Sequence, residues 1–164
     1  MAKKFTYLFL ALLVPGLIFV FLKFAGSNRF DVPVYPQEGI PLHSACVGEV
    51  TGDYRIPDSA WQVVSSGTSG AMVIQFPEQH LNGAEVAQAV KEEIGEGVSF
   101  FSMETLSLDS TALATWKSCV FLLEPPRQAV LVDSQRRIRG FYDLGHRDEV
   151  DRLRLELKIL LEKY

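Results

Sequence analysis

Two cysteines and three histidines are the residues of this chain most suited to soft-metal or thiol chemistry: Cys46, Cys119, His43, His80 and His146. Two thiols can form a structural disulfide, stay as two buried free thiols, or work as a reactive pair that exchanges disulfides or holds a metal. Spacing alone leaves all three readings open for Cys46 and Cys119, and the structural disulfide, pinning a linker to a domain, is favoured for an exported protein. About 72 residues lie between them, so closing that loop could contribute roughly 4 kcal/mol in the chain-entropy account. A metal site would need ligands converging from separate segments. His80 with Glu78 in a loop is a weak donor set, and a copper site drawn from His80, Cys119 and His43 is the metal alternative. Solvated loop histidines are the plainer reading. No Ser/His/Asp order with nucleophile context is visible. Gly67 to Gly70 precedes a strand rather than a helix, unlike a phosphate cradle.

The elements that would carry these residues can be read from punctuation and period. Phe5 to Leu22 is uncharged, with Lys3 and Lys4 before it and Lys23 after it. Eighteen helical residues cover about 27 Å, close to a bilayer's apolar core. The stretch is long and Phe-rich, and Phe24-Ala25-Gly26-Ser27 is a poor cleavage site, so a retained anchor over 5–24 is expected rather than a removed signal peptide. Pro15-Gly16 in its middle is tolerated in membrane helices, where it can kink them. The flanking lysines and the free amino terminus favour residues 1–4 in the cytoplasm. The remainder is then expected on the periplasmic (non-cytoplasmic) side of the inner membrane, in a single pass.

Residues 25–57 read as a linker and entry segment, broken by prolines and glycines. Residues 58–164 read as one α/β domain. Trp61–Val64 is a short strand candidate, followed by a polar turn. Ala71–Phe76 is an apolar run, the mark of a central strand buried on both faces. Asn82 with Glu85 resembles a capping box, and Val86, Ala89, Val90 and Ile94 recur at helical spacing. Val98–Leu106 reads as a strand, and Asp109 as the cap of a short helix running to Trp116. Gln128–Val132 and Ile138–Tyr142 form a hairpin around Asp133–Arg137. Arg147–Tyr164 is an amphipathic helix with Val150, Leu153, Leu157, Leu160 and Leu161 on one stripe. A βαβ unit, a hairpin and a closing helix make the thioredoxin-like order, a mixed sheet flanked by helices.

Net charge is −4, so no electrostatic footprint for nucleic acid is present. Trp61, Phe76, Phe100, Phe101 and Trp116 read as core or half-buried sheet residues. Arg127, Arg136, Arg137 and Arg139 read as solvated turn residues, with a partner-binding patch as the alternative. Pro125-Pro126 precedes a core strand, and a trans bond is expected there on base rates, with a cis bond at Pro126 as the alternative.

The stretch Ala129 to Asp143 (AVLVDSQRRIRGFYD) resembles the closing motif of the Sco/SenC family, LVD-x-x-x-x-IRG-[FY]-YD, and Glu149-Val150-Asp151-Arg152-Leu153 is similar to its following helix. The anchor, Phe30–Pro36 and Tyr54-Arg55-Ile56-Pro57-Asp58 also look like that family. The resemblance covers about a third of the chain. It implies a membrane-anchored thioredoxin-like protein of cytochrome c oxidase maturation, handling copper through Cys-x-x-x-Cys and a later histidine. This chain departs there: Pro77-Glu78-Gln79-His80-Leu81-Asn82 holds no cysteine, and Glu124-Pro125-Pro126-Arg127 holds no histidine. No catalytic, cofactor-binding or metal residue carries over. The expectation is a redox-silent assembly or binding factor with no cofactor. Its expected partners are membrane lipid through residues 5–24 and a protein of the cell envelope. The enzyme alternative is a thiol-disulfide oxidoreductase using Cys46 and Cys119.

Overall fold

The computed structural model describes residues 2–25, 31–35, 46, 54–65, 70–78, 83–95 and 97–163. The chain divides into two units, Met1–Phe30 and Asp31–Tyr164. The first holds α1, Ala2–Ala25, which continues through Pro15. Side chains described there, including Phe9, Leu17, Phe19 and Phe21, are exposed. Among the described residues, no helix is long and apolar enough to cross a membrane. Several α1 side chains lie outside that set.

The second unit is an α/β fold around a four-stranded mixed sheet. Its strands are β1 (Ala71–Gln75), β2 (Val98–Ser102), β3 (Ala129–Val132) and β4 (Ile138–Tyr142), in the spatial order β2-β1-β3-β4. β1 and β2 are parallel, joined through α3 (Gly83–Ile94), whereas β3 runs antiparallel to both β1 and β4. Side chains alternate across each strand, so each face has its own core. Ala71, Val73, Ala129 and Leu131 meet α3 through Val90 and α5 (Arg147–Lys163) through Val150, Leu153, Leu157 and Leu160. Met72, Ile74, Val130 and Val132 meet Ile56, Ala60 and Val64 on the other side. A strand with both faces covered can be apolar throughout, which is why the run from Ala71 lacks the usual alternation.

The strand expected at Trp61–Val64 is instead part of a helix, α2 (Asp58–Ser65). Pro57 and Asp58 suit a helix start. Ala60 and Val64, four apart, are buried, while Val63 beside them is exposed. That is helical spacing, and it outweighs the β preference of two adjacent valines. The strand expected over Val98–Leu106 stops at Ser102 and gives way to a 3-10 turn, Met103–Leu106. Ser107, at φ +47°, then ends that turn. Asp109 caps α4 (Ser110–Thr115), its carboxylate accepting from the Ala112 N–H at 2.7 Å, and a π-helical turn, Trp116–Val120, follows. The capping residue expected at Asn82 lies outside the described residues. α3 ends at Gly95, whose φ of +90° suits glycine and whose N–H reaches Lys91 O at 2.8 Å. The Pro125–Pro126 bond is cis, not trans.

The hairpin carries one irregularity. Leu131 pairs with Gly140 and Val132 with Ile138, leaving Arg139 as the extra residue of a bulge. On an unbroken strand Ile138 and Tyr142, four apart, would share a face. The bulge puts them in opposite cores. Gly140 is needed beside it, because a Cβ there would collide with the Tyr142 hydroxyl.

Candidate functional site

Cys46 and Cys119 are bonded, with Cα atoms 5.4 Å apart and a sequence separation of 73. Both residues are half-buried. Cys119 sits in the π-helical turn, with Ser118 Oγ 3.8 Å from its sulfur. While the bond stands, neither sulfur is a thiolate, and Cys119 is not free to join a copper site with His80 and His43. Those two histidines lie outside the described residues. His146 is exposed, and its Nδ1 is 2.8 Å from the Asp143 carboxylate. Burial alone would raise the Asp143 pKa. Hydrogen bonds from Gly145 N–H, His146 and Gln128 outweigh it and hold the group below the usual carboxylate value. Among the described residues, no three His, Cys, Asp or Glu side chains converge as a metal site.

The disulfide is one of several ties holding the entry segment. Tyr35 bridges to Ile138, its N–H donating to Ile138 O at 2.8 Å, and its ring meets Phe141 edge-on at 5.5 Å. The Tyr54 hydroxyl donates to Val120 O at 2.7 Å, one residue past Cys119, and burial pushes its pKa up to about 12. Ile56 N–H donates to Arg136 O at 3.0 Å, and Arg136 pairs with Asp58. Of these ties, the Tyr35 bridge meets the outer edge of β4 at Ile138, where an exposed strand group would otherwise invite pairing with other chains.

The arginines expected as solvated turn residues divide. Arg127 is exposed. Arg137 pairs with Asp133 at 2.8 Å. Arg139 is buried, 1 % exposed, against Asp133 and Asp31, because the bulge turns its side chain inward. Trp61, Phe100, Phe101 and Trp116 are half-buried and Phe76 is buried, packed against the two cores.

A cleft of about 260 Å³ opens at the carboxyl ends of the parallel strands β1 and β2, lined by Gln75, Glu78, Gly83, Ser102, Glu104 and Thr105 among others. Such crevices are where open α/β sheets commonly hold ligands. Gln75 closes β1 and is 7 % exposed. Its Nε2 donates to Gly83 O at 3.3 Å. Gly83 leaves room for this amide, since a Cβ there would stand 3.1 Å from Gln75 Oε1. The Thr105 hydroxyl donates to Ser102 O at 2.8 Å. Sequence reasoning passed over Gln75 as one residue in an apolar strand. Its signal was present: a lone amide closing a buried run needs a partner. No protein-family model matches the chain, and neither a curated protein nor a solved structure matches it.

Proposed function

We propose that the chain is a membrane-anchored relative of the Sco/SenC proteins that has kept a thioredoxin-like scaffold and lost the copper ligands. It acts as a redox-silent assembly or binding factor for cytochrome c oxidase maturation. The observation carrying this reading is the sheet itself. The sequence βαβ, hairpin, closing helix, in the order β2-β1-β3-β4 with β3 reversed, supports a thioredoxin-like fold. The closing motif falls on β3 and the bulged hairpin, where Asp133, Arg139, Gly140 and Tyr142 each have a packing role. That gives the resemblance a physical basis without chemistry.

Support for the anchor comes from the uncharged run Phe5–Leu22, lying in a 24-residue helix that at 1.5 Å per residue is about 36 Å long. The occupied sulfurs of Cys46 and Cys119 argue against an oxidoreductase that rests in the dithiol form. Deleting the gene in its host and measuring assembled, copper-loaded cytochrome c oxidase tests the assignment. A fall in the enzyme, restored equally by the chain and by its Cys46→Ser/Cys119→Ser variant at matched protein level, is expected. Unchanged oxidase, or rescue that depends on the two cysteines at matched level, contradicts it.

A further inference from the structure

The two edges of the sheet are finished differently. At β4, Tyr35 N–H bonds Ile138 O, and the Arg152 guanidinium donates to Phe141 O. At β2, no strand or bridge pairs with the outer side among the described residues. Val98-Ser99-Phe100-Phe101-Ser102 also lacks the usual guards of an edge. It carries no charge and no proline, and its register with β1 runs unbroken, without a bulge. Its outward N–H and C=O groups are a template for one more strand.

What that strand must carry follows from the two faces of β2. Phe100 faces α3, where Lys91 lies over its ring, the ammonium 5.7 Å from the ring centre. No carboxylate pairs with Lys91 among the described residues. Phe101 faces the opposite core, beside Val64 of α2. A groove of about 190 Å³ opens at this edge, lined by Val64, Met72 and Phe101 on one side and by Lys91 on the other. Side chains of an added strand alternate between the faces. One beside Phe100 meets a cation, and its two neighbours meet the apolar wall. An acidic residue flanked by apolar ones fits both. A second copy of this chain fits less well. Pairing β2 with β2 about a twofold axis at Phe100 would put two Lys91 ammonium groups on one face with no acid between them.

We propose that the outer edge of β2 takes up an extended segment of a partner protein as a fifth strand. An aspartate or glutamate of that segment lies beside Lys91, and the apolar residues on either side of it meet Val64, Met72 and Phe101. This deepens the reading of the chain as a binding factor by giving the mode of contact. Its test involves no oxidase, so the two can fail separately.

The full chain, ¹⁵N-labelled in detergent micelles, is followed at the amides of Val98–Ser102. Residues 66–69, which follow α2, lie outside the described residues, so the free chain is read first. Fast hydrogen exchange at alternate β2 amides is expected, because β1 takes only every second N–H. Slow exchange at all of them means that the edge is already paired, and overturns the proposal. The chain is then titrated with the blocked pentapeptide Thr-Val-Glu-Val-Thr, with the same peptide carrying glutamine for glutamate, and with two forms N-methylated at alternate residues in opposite phase. The expected result is a saturable shift at β2 that N-methylation abolishes in one phase only. Lys91→Gln should bind the glutamate peptide about three-fold more weakly and the glutamine peptide as the parent does. Lys91→Glu should prefer a lysine-centred peptide to the glutamate one. Lys91 is exposed, so both variants should melt as the parent does. No saturable shift at β2, the same response to both N-methylated forms, or a preference for glutamate that survives Lys91→Glu overturns the proposal. Shifts at β2 that grow with protein concentration in the absence of peptide assign the edge to a second copy, and also overturn it.

Discussion

The guanidinium of Arg139 lies 3.6 Å from the carboxylate of Asp133 across the β3–β4 hairpin, with both residues buried. Asp133 also accepts from the N–H groups of Gln135, at 2.9 Å, and Arg137, at 3.0 Å, and pairs with the Arg137 side chain. One carboxylate thus closes the turn and neutralises a charge that the bulge has forced inward. The two members of the pair should differ on mutation. Asp133→Ala removes the turn's acceptor and takes from the buried Arg139 guanidinium one of the two carboxylates beside it, Asp31 staying in place, and should cost about 3 kcal/mol. Arg139→Met leaves Asp133 with Arg137 and both N–H groups, and should cost about 1 kcal/mol or less. Urea unfolding of the two variants and of the double variant checks this, with strong non-additivity expected.

The disulfide should matter for stability and not for activity. Cys46→Ser/Cys119→Ser frees a loop of 73 positions and should lower stability by up to about 4 kcal/mol. The Tyr35 and Tyr54 contacts should keep the far-ultraviolet circular dichroism of the folded chain unchanged. Thermal melting with and without reductant gives the shift, and the serine variant should be insensitive to reductant.

Tyr54 should leave a signature at high pH. Its pKa is raised to about 12 in the folded chain, from 10 when free. Its stabilising contribution is fully present below pH 10, because the neutral form is common to both states there. Above pH 10 the unfolded chain ionises first, and the contribution is lost as pH rises towards 12. Because Tyr54 is partly solvated, the loss is on the order of 1 kcal/mol after screening. Denaturant midpoints at pH 9 and pH 11.5 should fall further in the parent than in Tyr54→Phe. An equal fall in both would contradict this assignment. Tyr142, whose pKa is raised by burial and by its Glu156 neighbour, contributes to both chains and cancels in the comparison.

Much of the scaffold was legible from residues that have little choice. Ala71–Gln75 is apolar because both faces are covered, and Ile138–Tyr142 is fixed by the polar turn before it and the aspartate after it. Val150, Leu153, Leu157 and Leu160 define the buried face of α5 by period alone. Short elements were less legible. The eight residues of α2 contain two adjacent valines, and local preference could not anticipate that only Val64 would meet the core. The bulge at Arg139 was hidden because a one-residue slip leaves the hydrophobic pattern nearly intact while reversing which side of the sheet each side chain meets. At the candidate sites, the sequence offered both cysteines but left their pairing open. It gave no hint that Gln75, Glu78 and Glu104 would line one cleft, since that depends on where the parallel strands β1 and β2 end.

Copper binding by the intact protein is the most direct test of the central claim. The full chain in detergent, oxidised and then reduced, is titrated with Cu(I) against a chromogenic chelator, and the retained metal is measured after desalting. The account predicts copper far below one equivalent per chain in both states. One tightly held copper per chain, lost in a Cys119→Ser or His80→Ala variant, would contradict it.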